Sequence, residues 1–309
     1  MTSPPLTSPV GRFAPSPTGA LHTGSLATAV GSWLLARRAG GRWLVRMDDL
    51  DTPRQVAGMA DDIRRTLEEF GLWWDREITR QSDNQEAYRD AFERLLGLGL
   101  VYPCGCSRRE IAQAASAPHP DDDTLPYPAT CRGGMRGGAV VRSWRVRAAD
   151  GEICFDDLRR GRVCQVLALR CGDFVVRRGD GGFAYQLAVV LDDHLSGVTQ
   201  VVRGDDLLAS TPRQIYLQQL LGLPRPRYCH LPLVSGPGGA KLSKRDNLVS
   251  HHLGNWKGRE GALLLALLRF LGQEPPGGLA GAACGEILQW GVDNFEVGRI
   301  PALGGELKP

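Results

Sequence analysis

Two segments far apart in the sequence carry side chains whose types and spacing could do chemistry. The first is Pro15-Ser16-Pro17-Thr18-Gly19-Ala20-Leu21-His22-Thr23-Gly24-Ser25, led in by Val10-Gly11-Arg12-Phe13-Ala14. The lead-in reads as a strand, the Pro/Gly run as a compact turn, and His22 to Ser25 as the opening of a helix. Unpaired N–H groups and the dipole at a helix start favour phosphate. Gly24 lets a nucleoside approach the backbone closely, and His22 can donate to an α-phosphate oxygen as the five-coordinate state forms. The second segment is Lys241-Leu242-Ser243-Lys244-Arg245, preceded by the glycine-rich stretch from Ser235 to Ala240. Two cations at this spacing can clamp a departing pyrophosphate, Lys244 being the better candidate. Together the segments read as two halves of an ATP site, with Mg²⁺ accompanying the nucleotide. Pro15, Thr18, Gly19, His22, Gly24 and Lys244 are expected to touch ATP. His22, Gly24, Ser25, Lys241 and Lys244 are expected to serve the chemical step.

A second constellation is sulfur-rich. Cys104-Gly105-Cys106 follows an apolar helix end, and Tyr127-Pro128-Ala129-Thr130-Cys131 follows a Pro/Asp loop. Structural zinc takes four ligands with a short first spacing, so three thiols leave one position to fill. His119 is the conventional fourth ligand by chemistry. The chain has eight cysteines, and in a cytoplasmic protein that number argues against a disulfide framework. Cys154, Cys164, Cys171, Cys229 and Cys284 therefore read as separate buried small hydrophobes.

The elements that must position these groups alternate. Strands are expected at Val10–Ala14 and Trp43–Met47, with helices at Gly24–Arg38, Ala60–Phe70 and Gln85–Leu96. From Cys104 to about Val176 the texture changes to short alternating segments such as Ser143–Arg147 and Ile153–Phe155. Strand and helix alternation then resumes with Tyr185–His194, Val198–Arg203, Pro212–Leu221 and Tyr228–Val234. The last strand leads into the lysine segment, and helices Gly261–Leu271 and Glu286–Trp290 follow. The fold class is α/β: a Rossmann-like parallel sheet with its ligand crevice at the carboxyl edge. Residues 1–9 read as a disordered tail and 10–103 as the first half of the catalytic domain. Residues 104–183 read as an inserted zinc-binding and β subdomain, 184–234 as the second catalytic half, and 235–309 as the lysine loop with a small helical region.

Bulk properties narrow the class. An apolar fraction of 42% and a charged fraction of 23% are those of a globular protein, and no uninterrupted apolar run is long enough to span a bilayer. The N-terminus lacks the basic and apolar regions of a secretory signal, so a cytoplasmic protein is expected, and it is taken as a monomer. A net charge of +3 does not by itself announce nucleic acid. Arg132, Arg136, Arg142, Arg145, Arg147, Arg159, Arg160 and Arg162 form a local run that suits either RNA phosphates or a solvated face.

The paired segments resemble the HIGH and KMSKS motifs of class I aminoacyl-tRNA synthetases. Arg12-Phe13-Ala14-Pro15-Ser16-Pro17-Thr18-Gly19 and Val202-Arg203-Gly204-Asp205-Asp206 are similar to the glutamyl branch. Two positions depart from the pattern: Ser25 stands where HIGH ends in histidine, and Asp48 stands where a glutamate is usual. The resemblance implies an L-glutamate site built from Arg12, Phe13, Ala14, Pro15, Ser16, Asp48, Tyr185 and Arg203. The arginines and the Tyr185 hydroxyl would hold carboxylate, and Asp48 the ammonium, one methylene short. Sixty-four residues follow Arg245, too few for the long helical anticodon-binding region of a full glutamyl-tRNA synthetase. That feature, with Cys-x-Cys followed by Tyr-x-x-x-Cys, is similar to the glutamyl-Q tRNA(Asp) group and favours Tyr127 as the fourth zinc ligand. The resemblance implies activation of glutamate by ATP and its transfer to queuosine in the anticodon of tRNA(Asp). The competing readings are a truncated enzyme charging tRNA(Glu), a non-catalytic RNA-binding relic, and a ligase adenylylating a small molecule.

Overall fold

The computed structural model describes residues 8–114, 126–236 and 253–307. The chain begins β1 (Val10–Phe13), α1 (Thr23–Arg38), β2 (Arg42–Met47), α2 (Met59–Glu69), β3 (Thr79–Arg80) and α3 (Gln85–Gly97). The middle holds β4 (Val101–Cys104), α4 (Arg108–Ala114), β5 (Ser143–Val146), β6 (Glu152–Asp157), β7 (Gly161–Val166), α5 (Leu167–Arg170) and β8 (Phe174–Arg178). Alternation resumes with α6 (Tyr185–Leu195), β9 (Gln200–Gly204), α7 (Thr211–Leu221), β10 (Arg227–Leu231) and β11 (Val234–Ser235). The C-terminal part adds α8 (Glu260–Phe270), α9 (Cys284–Asn294) and β12 (Gly305–Glu306).

The main sheet has the order β3-β2-β1-β9-β10-β6-β7. All its pairings are parallel except the β6–β7 hairpin. Successive early strands run outward from β1 in one direction and later ones in the other. The order therefore switches beside β1, and the crevice outside the carboxyl ends of β1 and β9 is where an open α/β sheet binds ligand.

Three expectations are corrected. The segment expected as one insert is divided between two sheets: β4, β5 and β8 form their own antiparallel sheet, whereas β6 joins the main sheet through Tyr228 opposite Asp157. Ile153 and Phe155 on alternate positions of β6 join the core beneath α6 and α7. Cys154 and Cys164 are not separate buried thiols. They face each other across β6 and β7 and are joined as a disulfide. Period-two alternation puts Cys154 on the face opposite Ile153 and Phe155. The strand expected from Tyr228 to Val234 is also broken, since β10 stops at Leu231 before Pro232, which has no N–H for a ladder.

Two apolar cores flank the main sheet. One packs Leu26, Val30 and Leu34 of α1 against Leu264, Leu267 and Leu268 of α8 and Ile287 and Leu288 of α9. The other joins Phe92 and Leu95 of α3, Val189 and Val190 of α6, and Ile215 and Leu221 of α7. The first matters to the site, since it fixes the helix whose N-terminus faces the crevice.

Candidate active site

The turn after β1 is tied down by its own backbone. Thr18 N donates to Ser16 O at 2.8 Å, and Asp48 N, just beyond β2, donates to Pro15 O at 2.9 Å. His22 then caps α1 with its side chain: Nδ1 accepts from Ser25 N at 3.2 Å. With Nδ1 accepting, a neutral ring carries its proton on Nε2, 3.1 Å from Ser25 Oγ. A Cβ at position 24 would lie 3.1 Å from ring atoms Cε1 and Nδ1 of His22. Glycine is thus needed first for the imidazole to lie against the helix start, a reason the sequence reading did not include.

A cavity of about 510 Å³ opens above this turn. It is lined by Arg12, Phe13, Ala14, Pro15, Ser16, Gly19, His22, Gly24, Ser25, Asp48, Tyr185 and Arg203. The residues proposed for ATP and those proposed for glutamate therefore share one space. Thr18 braces the turn but is not among the lining residues. Lys241 and Lys244 lie outside the described residues, as does His119. Thr28, Gly204, Asp206, Leu207, Leu233 and Val234 also line the cavity and were not anticipated. Asp206 stood within the quoted Val202–Asp206 motif, and only its carboxylate signalled it.

The charged groups beneath the cavity are coupled. Arg12 Nε donates to Asp193 Oδ1 at 3.2 Å and Arg12 Nη1 to Val202 O at 3.3 Å. Arg46 Nη1 donates to the same Asp193 oxygen at 2.7 Å, and Arg46 Nε to Asp48 Oδ1 at 2.7 Å. Burial alone would push the Asp193 carboxyl up, yet the two guanidiniums hold it below the ordinary range. Asp48 differs: burial outweighs its single arginine partner and brings it up to about 6. Asp192 is raised by burial as well, although Gln81, Asn84 and Tyr88 all donate to it. Tyr185, at 37% exposure, stands at the first turn of α6 on the cavity wall rather than in the core.

Arg203 sits on β9 beside His230 of β10 in the strand register. Its Nε donates to His230 Nε2 at 3.1 Å and its Nη2 to Thr211 Oγ1 at 2.8 Å. His230 Nδ1 lies 2.7 Å from Asp157 Oδ2. Burial holds the imidazole below its ordinary range, hence neutral at pH 7. Arg203 Nη1 is buried with no hydrogen-bond partner among the described residues.

The sulfur cluster assembles as the spacing predicts. The Sγ atoms of Cys104, Cys106 and Cys131 all lie within 4.8 Å of one another. Tyr127 Oη is 3.3 Å from Cys104 Sγ and 3.6 Å from Cys106 Sγ. Three thiols and a phenol oxygen around one point fit a four-coordinate cation. Arg145 donates to Cys104 Sγ at 3.4 Å and stacks over the Tyr127 ring at 3.9 Å. The rest of the arginine run is largely engaged within the protein. Arg132 pairs with Asp173, Arg160 with Asp205, Arg147 donates to Gly99 O and Arg159 to Pro301 O and Ala302 O.

A parallel sheet with its switch point beside a histidine-capped helix, and one cavity lined by both sets of candidate residues, make a single candidate site. Residues 10–279 match the family described as tRNA synthetases class I (E and Q), catalytic domain, and the chain belongs to that family. It is 60% identical over 293 residues to the glutamyl-Q tRNA(Asp) synthetase of Geobacter sulfurreducens, covering 94% of this chain and 93% of that one. It is 52% identical over 291 residues to that of Dechloromonas aromatica, covering 94% and 95%. Its fold is similar to a glutamate tRNA ligase from Elizabethkingia meningosepticum crystallised with its amino acid. That match has a TM-score of 0.79 and 24% identity, over 98% of this chain and 67% of that chain.

Proposed function

We propose that this protein activates L-glutamate with ATP and transfers it to the queuosine base in the anticodon of tRNA(Asp), acting as a cytoplasmic monomer. The observation that carries the first half is the single cavity joining the His22 helix start to Arg12, Asp48, Tyr185 and Arg203. The second half is supported by the names of relatives up to 60% identical over nearly the whole chain. In this reading the ATP phosphates lie over the N-terminus of α1, where His22 Nε2–H leaves Ser25 Oγ to donate to an α-phosphate oxygen. Asp48 takes the substrate ammonium, while Arg203, Arg12 and the Tyr185 hydroxyl take carboxylate oxygen. The α-carboxylate forms a new bond to the α-phosphorus as the bridge to the β-phosphate breaks and pyrophosphate leaves; Mg²⁺ would accompany the phosphates, and Lys241 and Lys244 are the cations proposed to neutralise the leaving group. A queuosine hydroxyl then attacks the acyl carbonyl, passes its proton to a phosphate oxygen of the adenylate and displaces AMP. Neither step needs a protein nucleophile, because orientation and charge stabilisation supply the rate.

Zinc held by Cys104, Cys106 and Cys131, with Tyr127 completing the set, would be structural, cross-linking β4 to the loop beyond it. Glutamate-dependent ATP–pyrophosphate exchange tests the activation half. Exchange should proceed with glutamate and fall at least ~100-fold with glutamine, since a pocket built for carboxylate leaves guanidinium unpaired beside an amide. Equal exchange with both amino acids would contradict the assignment of the arginines.

A further inference from the structure

Arg203 carries five N–H donors, and the protein uses two nitrogens of its fork without a carboxylate. Nε meets the imidazole of His230 at 3.1 Å, Nη2 meets the Thr211 hydroxyl at 2.8 Å, and Nη1 is left buried with no partner among the described residues. A guanidinium nitrogen can only donate, so His230 Nε2 must accept and the ring's proton must sit on Nδ1. That tautomer is what Asp157 selects from the other side, at 2.7 Å from Nδ1. Asp157 is itself held by the backbone N–H groups of Arg159 and Arg160, at 3.0 Å and 2.9 Å. Both His230 and Asp157 are buried, and the Tyr228 ring stacks beside the imidazole with centroids 6.3 Å apart.

We propose that His230 is a positioning residue for substrate recognition: with Asp157 behind it and Thr211 beside it, it fixes the plane of Arg203, which lines the cavity, for a substrate carboxylate. The inference rests on the reading of Arg203 as a glutamate-binding residue. A carboxylate directly bonded to Arg203 would compete with substrate, whereas a neutral imidazole acceptor orients the fork and leaves its charge unspent. The hairpin β6–β7, which lies at the edge of the main sheet, thereby acquires a role in the amino-acid pocket through Asp157 at the end of β6.

Two substitutions of one residue separate orientation from mere packing. In His230→Gln the Oε1 atom can stand where Nε2 stood and still accept from Arg203. In His230→Asn the amide can still donate to Asp157, but its oxygen is too short to reach Arg203. In ATP–pyrophosphate exchange, His230→Asn should raise the KM for glutamate about tenfold or more and leave the KM for ATP within about twofold. His230→Gln should stay within about threefold of wild type for both substrates. Equal effects of the two substitutions, or parallel changes in both KM values, would overturn the proposal. If either variant fails to fold, the wild-type protein decides: nitrogen NMR of histidine-labelled protein at pH 7 should show a buried neutral Nδ1–H imidazole. Only Nε2–H or charged rings would overturn it. Wild-type protein that exchanges with no glutamate at all would instead refute the underlying substrate assignment.

Discussion

Asp48 stands where the resemblance implies a glutamate, and its surroundings give that residue a measurable consequence. Its carboxylate lines the cavity, accepts from Arg46, and is pushed by burial up to about 6. The charged form that would hold a substrate ammonium is thus fully present above about pH 7 and is lost as pH falls through 6. We expect kcat/KM for glutamate to decline roughly tenfold per unit below that point, because free-enzyme ionisations govern this parameter. Asp48→Asn should abolish the break and raise the KM for glutamate by about 10- to 100-fold, the worth of about 1.5–3 kcal/mol for a hydrogen bond to a charged group. A pH profile unchanged by the substitution would remove Asp48 from the pocket. Arg12, His22 and Gly24 were legible in the sequence because their chemistry lies at fixed spacing in motif text, whereas Tyr185 entered only as what the resemblance implies. Asp193 was not, since Arg12 and Asp193 meet only through the fold, 181 positions apart. Two adjacent acids, Asp192 and Asp193, in an otherwise apolar helix were the signal that could have found it.

At the scale of elements, the helix start and the sulfur cluster each make a prediction. A methyl group at position 24 would press on the His22 ring, which caps Ser25 N, at 3.1 Å. Gly24→Ala should therefore shift the ring by a few tenths of an ångström and lower kcat for exchange by roughly tenfold. Its melting temperature should barely change; unchanged kcat would contradict the role given to the imidazole. Protein purified without chelator should contain close to one zinc by elemental analysis, and Cys131→Ser should lose it, given the tight binding of structural zinc. Less than about 0.3 equivalents in the wild type would contradict the zinc assignment. The strand and helix sequence of the two catalytic halves was readable from periodicity. The sheet membership of β6 was not, because alternating Ile153, Phe155 and Asp157 would suit either sheet equally. Only the pairing of Asp157 with Tyr228 decides it.

The whole molecule is organised to hold one helix end. The C-terminal helices α8 and α9 bury Leu264, Leu267, Leu268, Ile287 and Leu288 against Leu26, Val30 and Leu34 of α1, whose first turn carries His22 and Gly24. Truncation of fully buried Leu268 to alanine should cost about 2–5 kcal/mol in urea unfolding. A loss under about 1 kcal/mol would show that α8 is not integral to the core. The most direct measurement is transfer of radiolabelled glutamate, with ATP, to purified individual tRNAs. Label should appear on tRNA(Asp) carrying queuosine and vanish when the same tRNA lacks that base. Label on tRNA(Glu) irrespective of queuosine would contradict the account.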